Sequence, residues 1–276
     1  MIRQIIYLFI ILTTAIFPQD TIVQQFNYAK KLYSEEKYFD VVTECKRLIF
    51  FNTKNQLEYK AYMLMGESYK KGDKFSDAII CFTNAALKAK NDNEIFSSKI
   101  EIVKVNILRR TTYRAMQLLD ELQKDKRYSA NISEINYWRG WTFIFSGDWE
   151  KASKAFSTID TCKKLQELCS QVYKNMYSEG FSSLISHFIP GAGQIYTGNY
   201  FSGILSLGWN ILWGYVTINS FAAERIFDGL VQLNLLWLRF YNGNIQNAKK
   251  FADEKNRKIA NNALNYLQFQ YNGLKP

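Results

Sequence analysis

Five positions recur in register along the first 160 residues, and they limit what this part of the chain can build. In "YMLMGESYKKGDKFSDAIICFTNAALKAK", residues 62–90, Gly66, Tyr69, Ala78, Phe82 and Ala85 fall at offsets 0, 3, 12, 16 and 19. In "YWRGWTFIFSGDWEKASKAFSTID", residues 137–160, Gly140, Phe143, Ala152, Phe156 and Ile159 fall at the same offsets. The stretch 27–49 aligns Lys30, Tyr33, Val42, Lys46 and Ile49, and a copy around 94–122 aligns Val103, Asn106, Ala115 and Leu119. The four starting points, 30, 66, 103 and 140, are 36 or 37 residues apart. A fixed period of this size is the signature of a stacked repeat.

The pattern has a physical reading. A small residue at the first offset lets one helix approach its partner, and the aromatic three later packs on the same face. A turn follows, "KKGDKF" at 70–75 and "FSGDWE" at 145–150. The second helix then offers Ala78 or Ala152 at the close crossing and an aromatic, Phe82 or Phe156, one turn later. Composition agrees with helices. Prolines occur only at 18, 190 and 276, and no alternating strand runs are bounded by Asn-Gly or Asp-Gly turns. An all-α protein is expected.

These residues resemble the tetratricopeptide-repeat (TPR) family over about half the chain. Lys30 and Val103 depart from the family's small residue, and no proline ends a repeat. The resemblance implies a solenoid of stacked helix pairs whose concave face binds a protein or peptide partner. It names no partner. The array is expected over 22–180, with 163–180 as a capping helix on the stripe Leu165, Leu168, Cys169, Val172 and Met176, ended by Gly180.

Upstream, the chain opens "MIRQIIYLFIILTTAIFPQD". Arg3, the unbroken apolar run Ile5–Leu12 and the smaller Thr13, Thr14 and Ala15 match a secretory signal over 1–19, without a lipoprotein cysteine.

Downstream, residues 180–223 hold no Asp, Glu, Lys or Arg in a chain that is 22% charged. "ILSLGWNILWGYVTINSFAA", 204–223, covers about 30 Å as a helix, the thickness of a bilayer core. A polar turn with Glu224, Arg225 and Asp228 follows, then the apolar run 229–241 with Gln232 and Asn234. The expectation is a membrane-associated domain over 181–276. It comprises a helical hairpin at about 199–241, its two arms near 199–223 and 226–241, and an amphipathic tail over 245–272.

The glycine-rich stretch "IPGAGQIYTGNYFSG", 189–203, precedes that hairpin. It is not a P-loop, because no lysine or arginine lies within reach of a phosphate. Gly191 and Gly193 fit the first two positions of G-x-G-x-x-G, but Tyr196 occupies the third and no βαβ unit surrounds it. No G-x-S-x-G nucleophile elbow is present. As a membrane entrance it makes sense. Pro190 and Gly191 break the preceding helix, Gly193 and Gly198 permit φ > 0, and Tyr196 and Tyr200 supply interfacial aromatics. Gly203, Ser206 and Gly208 allow close helix contact. Pro190, Gly191, Gly193, Gln194, Tyr196 and Gly198 together resemble the P-G-x-G-Q-x-Y-x-G motif that opens a small bacterial domain with two transmembrane helices. That resemblance implies a membrane module.

The remaining chemistry is sparse. Cys45, Cys81, Cys162 and Cys169 form no CxxC pair, and His187 is the single histidine, so no metal site or cofactor is expected. The cysteines read as small buried apolar residues. The net charge of +10 is dispersed except at Lys249, Lys250, Lys255, Arg257 and Lys258, and no nucleic-acid signature accompanies it. The expected function is a non-enzymatic, membrane-anchored scaffold of the bacterial envelope with its repeats on the periplasmic side. The alternatives are a soluble periplasmic assembly factor or chaperone for outer-membrane proteins and, more remotely, an intramembrane enzyme using His187 or Asp228.

Overall fold

The computed structural model describes residues 19–52 and 57–276. The expected signal therefore lies, but for its last residue, outside the described residues. Every regular element among them is a helix, and none is a strand. The described residues form two compact units, those up to 166 with 274–276 and 167–273.

The first unit is a succession of helix pairs. They are α1 (Gln19–Ser34) with α2 (Tyr38–Phe51), α3 (Glu58–Lys71) with α4 (Phe75–Lys88), α5 (Asp92–Leu108) with α6 (Thr112–Lys124), and α7 (Ile132–Ser146) with α8 (Trp149–Ser157). Helices adjacent in sequence pack against each other. The turn inside each pair is the same object four times. Glu36, Asp73, Arg110 and Gly147, each 37 residues after the last, take φ of 59°, 56°, 60° and 83°. The next amide in each case, at Lys37, Lys74, Thr111 and Asp148, donates to a carbonyl five residues back, at Leu32, Tyr69, Asn106 and Phe143. This bond closes the helix end and sets the angle of the return.

That fixed period corrects the register of the first copy. Its start is Ala29, not Lys30, so the spacing is 37 throughout. Ala29, Val41, Cys45 and Leu48 are fully buried, whereas Lys30 and Lys46 are exposed. The apolar stripe Ala29, Leu32, Val41, Cys45 and Leu48 was hidden by a neighbouring Tyr33 that matched the aromatic position equally well. In the third copy, Val103, Ala115 and Leu119 are fully buried and the same turn forms, despite its poor sequence match.

At the first offset the reason for a small residue is direct. A Cβ on Gly66 would lie 2.5 Å from the Phe82 ring, and one on Gly140 would lie 2.5 Å from the Phe156 ring. Both rings are fully buried. Ala78, Ala85 and Ala152 are also fully buried, while Tyr69 is half-buried beside the cluster of Ala78, Phe82 and Val105. Phe143 is half-buried, with Lys151 Nζ 5.8 Å above its ring. All four cysteines are free and buried, and burial pushes the thiols of Cys45 and Cys169 up to about 12.

Helix α9 (Lys163–Asn175) corresponds to the expected capping helix but ends before Gly180. Gly180 instead sits in the first turn of α10 (Glu179–Phe188), because Ser178 accepts the Phe181 amide at 3.1 Å and caps that helix. The division between units falls at 166 rather than 180. Tyr177 is already tied to the second unit, exchanging two hydrogen bonds with the Asn256 side chain at 2.7 and 2.9 Å.

The second unit continues through α11 (Ala192–Tyr196) and α12 (Tyr200–Ala222) to α13 (Ile226–Val231). A π-helical stretch, Gln232–Trp237, joins α13 without interruption to α14 (Leu238–Phe269). The expected second arm and amphipathic tail are therefore one helix. No proline separates them, and Gly243 alone does not stop a helix.

A non-glycine residue at φ near +60° carries a cost of roughly 1 kcal/mol relative to glycine. Arg110 bears it, and Gly147 occupies the equivalent turn. Arg110→Gly is expected to stabilise the first unit by about 1 kcal/mol, read as a higher urea midpoint with unchanged slope. An unchanged or lower midpoint would contradict the turn assignment.

Candidate functional site

Polar and aromatic side chains gather at two places in the first unit and one in the second. In the first unit, a charged ladder links first helices of successive pairs. Lys70 on α3 lies 3.1 Å from Glu67 and 2.7 Å from Glu101 on α5, and Lys104 also pairs with Glu101. The Lys104 ammonium in turn stands 4.6 Å above the Trp138 ring of α7. These charges are only 13–27% exposed. Burial, then the charge of Glu101, pushes the Glu67 carboxyl above its usual range. Burial also acts to raise Glu101, but the Lys70 and Lys104 charges outweigh it and hold that carboxyl below its usual range. The ladder thus holds one carboxylate between two ammonium groups, beside a second carboxyl whose pKa is raised.

Beside α2 and the end of α3 lies an open groove of about 320 Å³, whose lining includes Tyr38, Phe39, Lys46, Tyr69 and Lys74. Phe39 is 81% exposed although large and apolar. Two cations, two tyrosines and a free phenylalanine suit an extended peptide with acidic and apolar side chains. Sequence reasoning did not find this groove. Lys46 stood in the repeat register as a misaligned core position, and Phe39 lay outside it.

In the second unit the glycine-rich stretch is a three-helix clamp. Gly191 has φ +92°, and a Cβ there would lie 2.1 Å from the Gly203 carbonyl oxygen. Gly198 has φ +77°. Gly193, by contrast, is helical, and its missing side chain serves a close approach. A Cβ would lie 2.2 Å from the Ser182 carbonyl oxygen and 2.7 Å from Ala248. Its amide donates to Ser186 Oγ at 2.9 Å, and Ser182 Oγ donates to the carbonyls of Gly193 and Ala248 at 3.2 and 3.0 Å. Gln194, fully buried, donates through Nε2 to the Asn244 carbonyl at 3.0 Å and to Asn244 Oδ1. Residues 50 positions apart are therefore locked by a buried amide pair. Asn244 was not visible as its partner in the sequence, because nothing local marks it.

Around this clamp the other motif residues take distinct places. Pro190 follows the end of α10. Tyr196 packs edge-on against Tyr177 and Phe181, and its hydroxyl accepts the Ser178 amide at 3.3 Å. Gly203 is a contact glycine, with a Cβ position 2.6 Å from Ile195, but Gly208 faces open space. His187 Nδ1 lies 2.8 Å from the Ser183 carbonyl, and Tyr241 donates to the His187 carbonyl at 2.7 Å. Asp228 lies 3.8 Å from Arg225, and both are at least half exposed. Among the described residues, no group of three or more His, Cys, Asp or Glu is placed to hold a metal ion.

Beyond the clamp, α12 is the one described helix long and apolar enough to cross a membrane. Its buried side is Gly203, Asn210, Gly214, Thr217 and Ser220. Its exposed side is Phe201, Ile204, Ile211, Tyr215 and Ile218, each more than 60% exposed. The helix that returns beside it carries the same arrangement, with Ser220 donating to Gln232 at 2.8 Å inside and Phe227 and Leu235 outside. Gly214 and Gly229 admit the rings of Trp237 and Phe221. Most small and polar residues face inward and large apolar ones outward, the reverse of a water-soluble helix, but Gly208, Asn219 and Asn234 are exposed, and Asn234 donates to the Leu230 carbonyl of its own helix at 2.9 Å instead of facing another helix.

No protein-family model, no curated protein and no solved structure matches this chain.

The ladder yields an asymmetric pair of substitutions. The lowered Glu101 pKa means a stabilising contribution that is present above the ordinary carboxylate range and lost as pH falls through the lowered value. The raised Glu67 pKa acts in the opposite sense, opposing the fold once that carboxyl ionises. At pH 7, Glu101→Gln is expected to cost about 3 kcal/mol by leaving Lys104 without a carboxylate and Lys70 with Glu67 alone. Glu67→Gln should cost far less. Urea unfolding of both variants from neutral to acid pH checks this, and equal losses would contradict it.

Proposed function

We propose that this chain is a non-enzymatic, membrane-anchored protein-binding scaffold of the bacterial envelope. The first unit is a TPR-like array that takes a protein or peptide partner, with the groove at Tyr38, Phe39, Lys46, Tyr69 and Lys74 as the contact surface. The second unit holds the array at the membrane through the hairpin of α12 and the helix that follows. The signal-like opening directs the repeats to the periplasmic side.

The observation that carries this reading is the inverted polarity of α12. A soluble protein leaves few contiguous apolar patches of this extent. A lipid environment has no hydrophobic force to drive helices together, so packing rests on small residues and internal hydrogen bonds, as at Gly214 and Ser220. The glycine-rich stretch then serves as a clamp that fixes where the chain enters.

Fractionation of full-length protein tests the reading. It should remain with membranes through a carbonate wash, and protease added to spheroplasts should digest the repeats. Release into the soluble fraction would overturn the anchor and favour the soluble assembly factor. Protection of the repeats would place them on the other side.

A further inference from the structure

Helix α10 has the same inverted polarity as α12, although its 10 residues are too few to span a bilayer. Its buried positions include Ser182, Ser183 and Ser186. Phe188 is 80% exposed, and Phe181, Leu184 and Ile189 are exposed beside it. A helix on a water-soluble surface turns such side chains the other way.

Contacts within the second unit fix the level of this helix. Tyr177, just before it, bonds Asn256, Ser182 bonds the Ala248 carbonyl, and the His187 carbonyl accepts from Tyr241. Helix α10 therefore runs antiparallel to α14. The start of α12 stands at the Ala248 level, since Ser202 and Asn247 line one cleft. From Ser182 to Ile189 the chain then descends about 10 Å beside the first turns of α12. At the bottom, Gly191 packs on the Gly203 carbonyl. Helix α11 turns back. The Tyr196 ring meets those of Tyr177 and Phe181, and its hydroxyl accepts the Ser178 amide at 3.3 Å. The chain goes down and returns on one side before α12 begins.

At the bottom of this loop the backbone finds partners within the protein. Pro190 has no amide hydrogen, and Gly191 is buried. The Ile189 amide donates to the Ile185 carbonyl at 2.9 Å, and the Ala192 amide to the Ile189 carbonyl at 3.0 Å. The Gly193 amide takes Ser186 Oγ, and the Tyr241 hydroxyl takes the His187 carbonyl. Water serves a helix end on a surface, whereas hydrocarbon offers it no partner. At the upper end, Lys249 and Lys250 are exposed just after Ala248, and Arg257 and Lys258 just after Asn256. These cations suit an anionic headgroup layer. Arg239, deeper on α14, lines the polar cleft with Ser206 and Asn247, as a charge at that depth requires.

We propose that α10 and α11 form a re-entrant loop. Its lower part, 184–190, dips into the acyl-chain layer, and lipid hydrocarbon covers Leu184, Phe188 and Ile189. The inference rests on the membrane reading of α12. It adds that the chain first enters the bilayer at α10, ahead of the glycine-rich stretch.

Depth-dependent quenching tests this. Full-length protein carrying one introduced cysteine is labelled with an environment-sensitive fluorophore and reconstituted into phosphatidylcholine vesicles, with iodide available on both sides. The native thiols are buried, so the introduced one reacts. The positions are Phe181→Cys, Leu184→Cys and Phe188→Cys, with Ile218→Cys as the α12 reference and Lys250→Cys as the aqueous one. Quenching by iodide should fall severalfold from 250 to 184 and 188. Quenching by a nitroxide carried on the lipid acyl chain should rise from 181 to 188. Iodide access at 188 equal to that at 250, with 218 still shielded, puts α10 in water and overturns the loop while the anchor stands. Equal nitroxide quenching at 181 and 188 lays the helix flat on the surface and also overturns the dip. Shielding of 184 and 188 from both quenchers means that protein, such as a second copy, covers the face, and overturns the lipid. Free iodide access at 218 overturns the membrane reading itself.

Discussion

Close approach of helices at positions that lack a side chain governs both units. In the repeats, Gly66 and Gly140 let the rings of Phe82 and Phe156 seat against the partner helix, where a Cβ would stand 2.5 Å from the ring. In the second unit, Gly193 lets α11 touch the backbone of α10 and the side of α14. Each contact fixes the spacing of a helix pair. The turns then fix its angle, through the carbonyl five residues back that closes each helix. The same hydrogen-bonded turn recurs in the second unit at Gly198 and at Glu224, so one local device shapes both.

What fills the space beside the close approach differs, and that difference separates the roles of the units. The repeats enclose Phe82, Phe156, Trp138 and Leu119, and their interior is stabilised by apolar burial. The clamp encloses Ser182, Ser186, Gln194, Thr197 and Asn244, and is held by hydrogen bonds that gain strength away from water. Several large apolar side chains around it, Phe181, Leu184 and Phe188 among them, lie outside. The proposed membrane reading would place the two units in different solvents. The charged ladder of the first unit, with Glu101 between Lys70 and Lys104, belongs to the aqueous one.

The helical class, the recurrence and the apolar segment were legible because each is a periodic or compositional signal. Gly66 with Phe82 and Gly140 with Phe156 could be paired from spacing alone, since helix-pair geometry links offsets 0 and 16. The first copy slipped by one residue because Tyr33 and Leu32 both suit the aromatic position, and only burial of Ala29 and Cys45 resolves them. Glycine roles were harder. Sequence marks where a glycine stands, but not whether it is there for φ, as at Gly191 and Gly198, for contact, as at Gly193 and Gly203, or for open space, as at Gly208. Long-range polar pairing was not legible at all. The bond from Gln194 to Asn244 spans 50 positions, and an asparagine in an amphipathic helix looks like any solvated residue.

On the proposed membrane reading, α12 turns its large side chains toward lipid and most of its small polar ones inward. Spin labels placed singly from 209 to 222 in the full-length, vesicle-reconstituted protein measure this directly, through collision with oxygen and with a water-soluble nickel complex. An oscillation at the helical period is expected. Ile211, Tyr215 and Ile218 should be accessible to oxygen and shielded from nickel, while Asn210, Gly214 and Thr217 should be shielded from both. Nickel access at Ile211, Tyr215 and Ile218 would mean that this face meets water, and would contradict it.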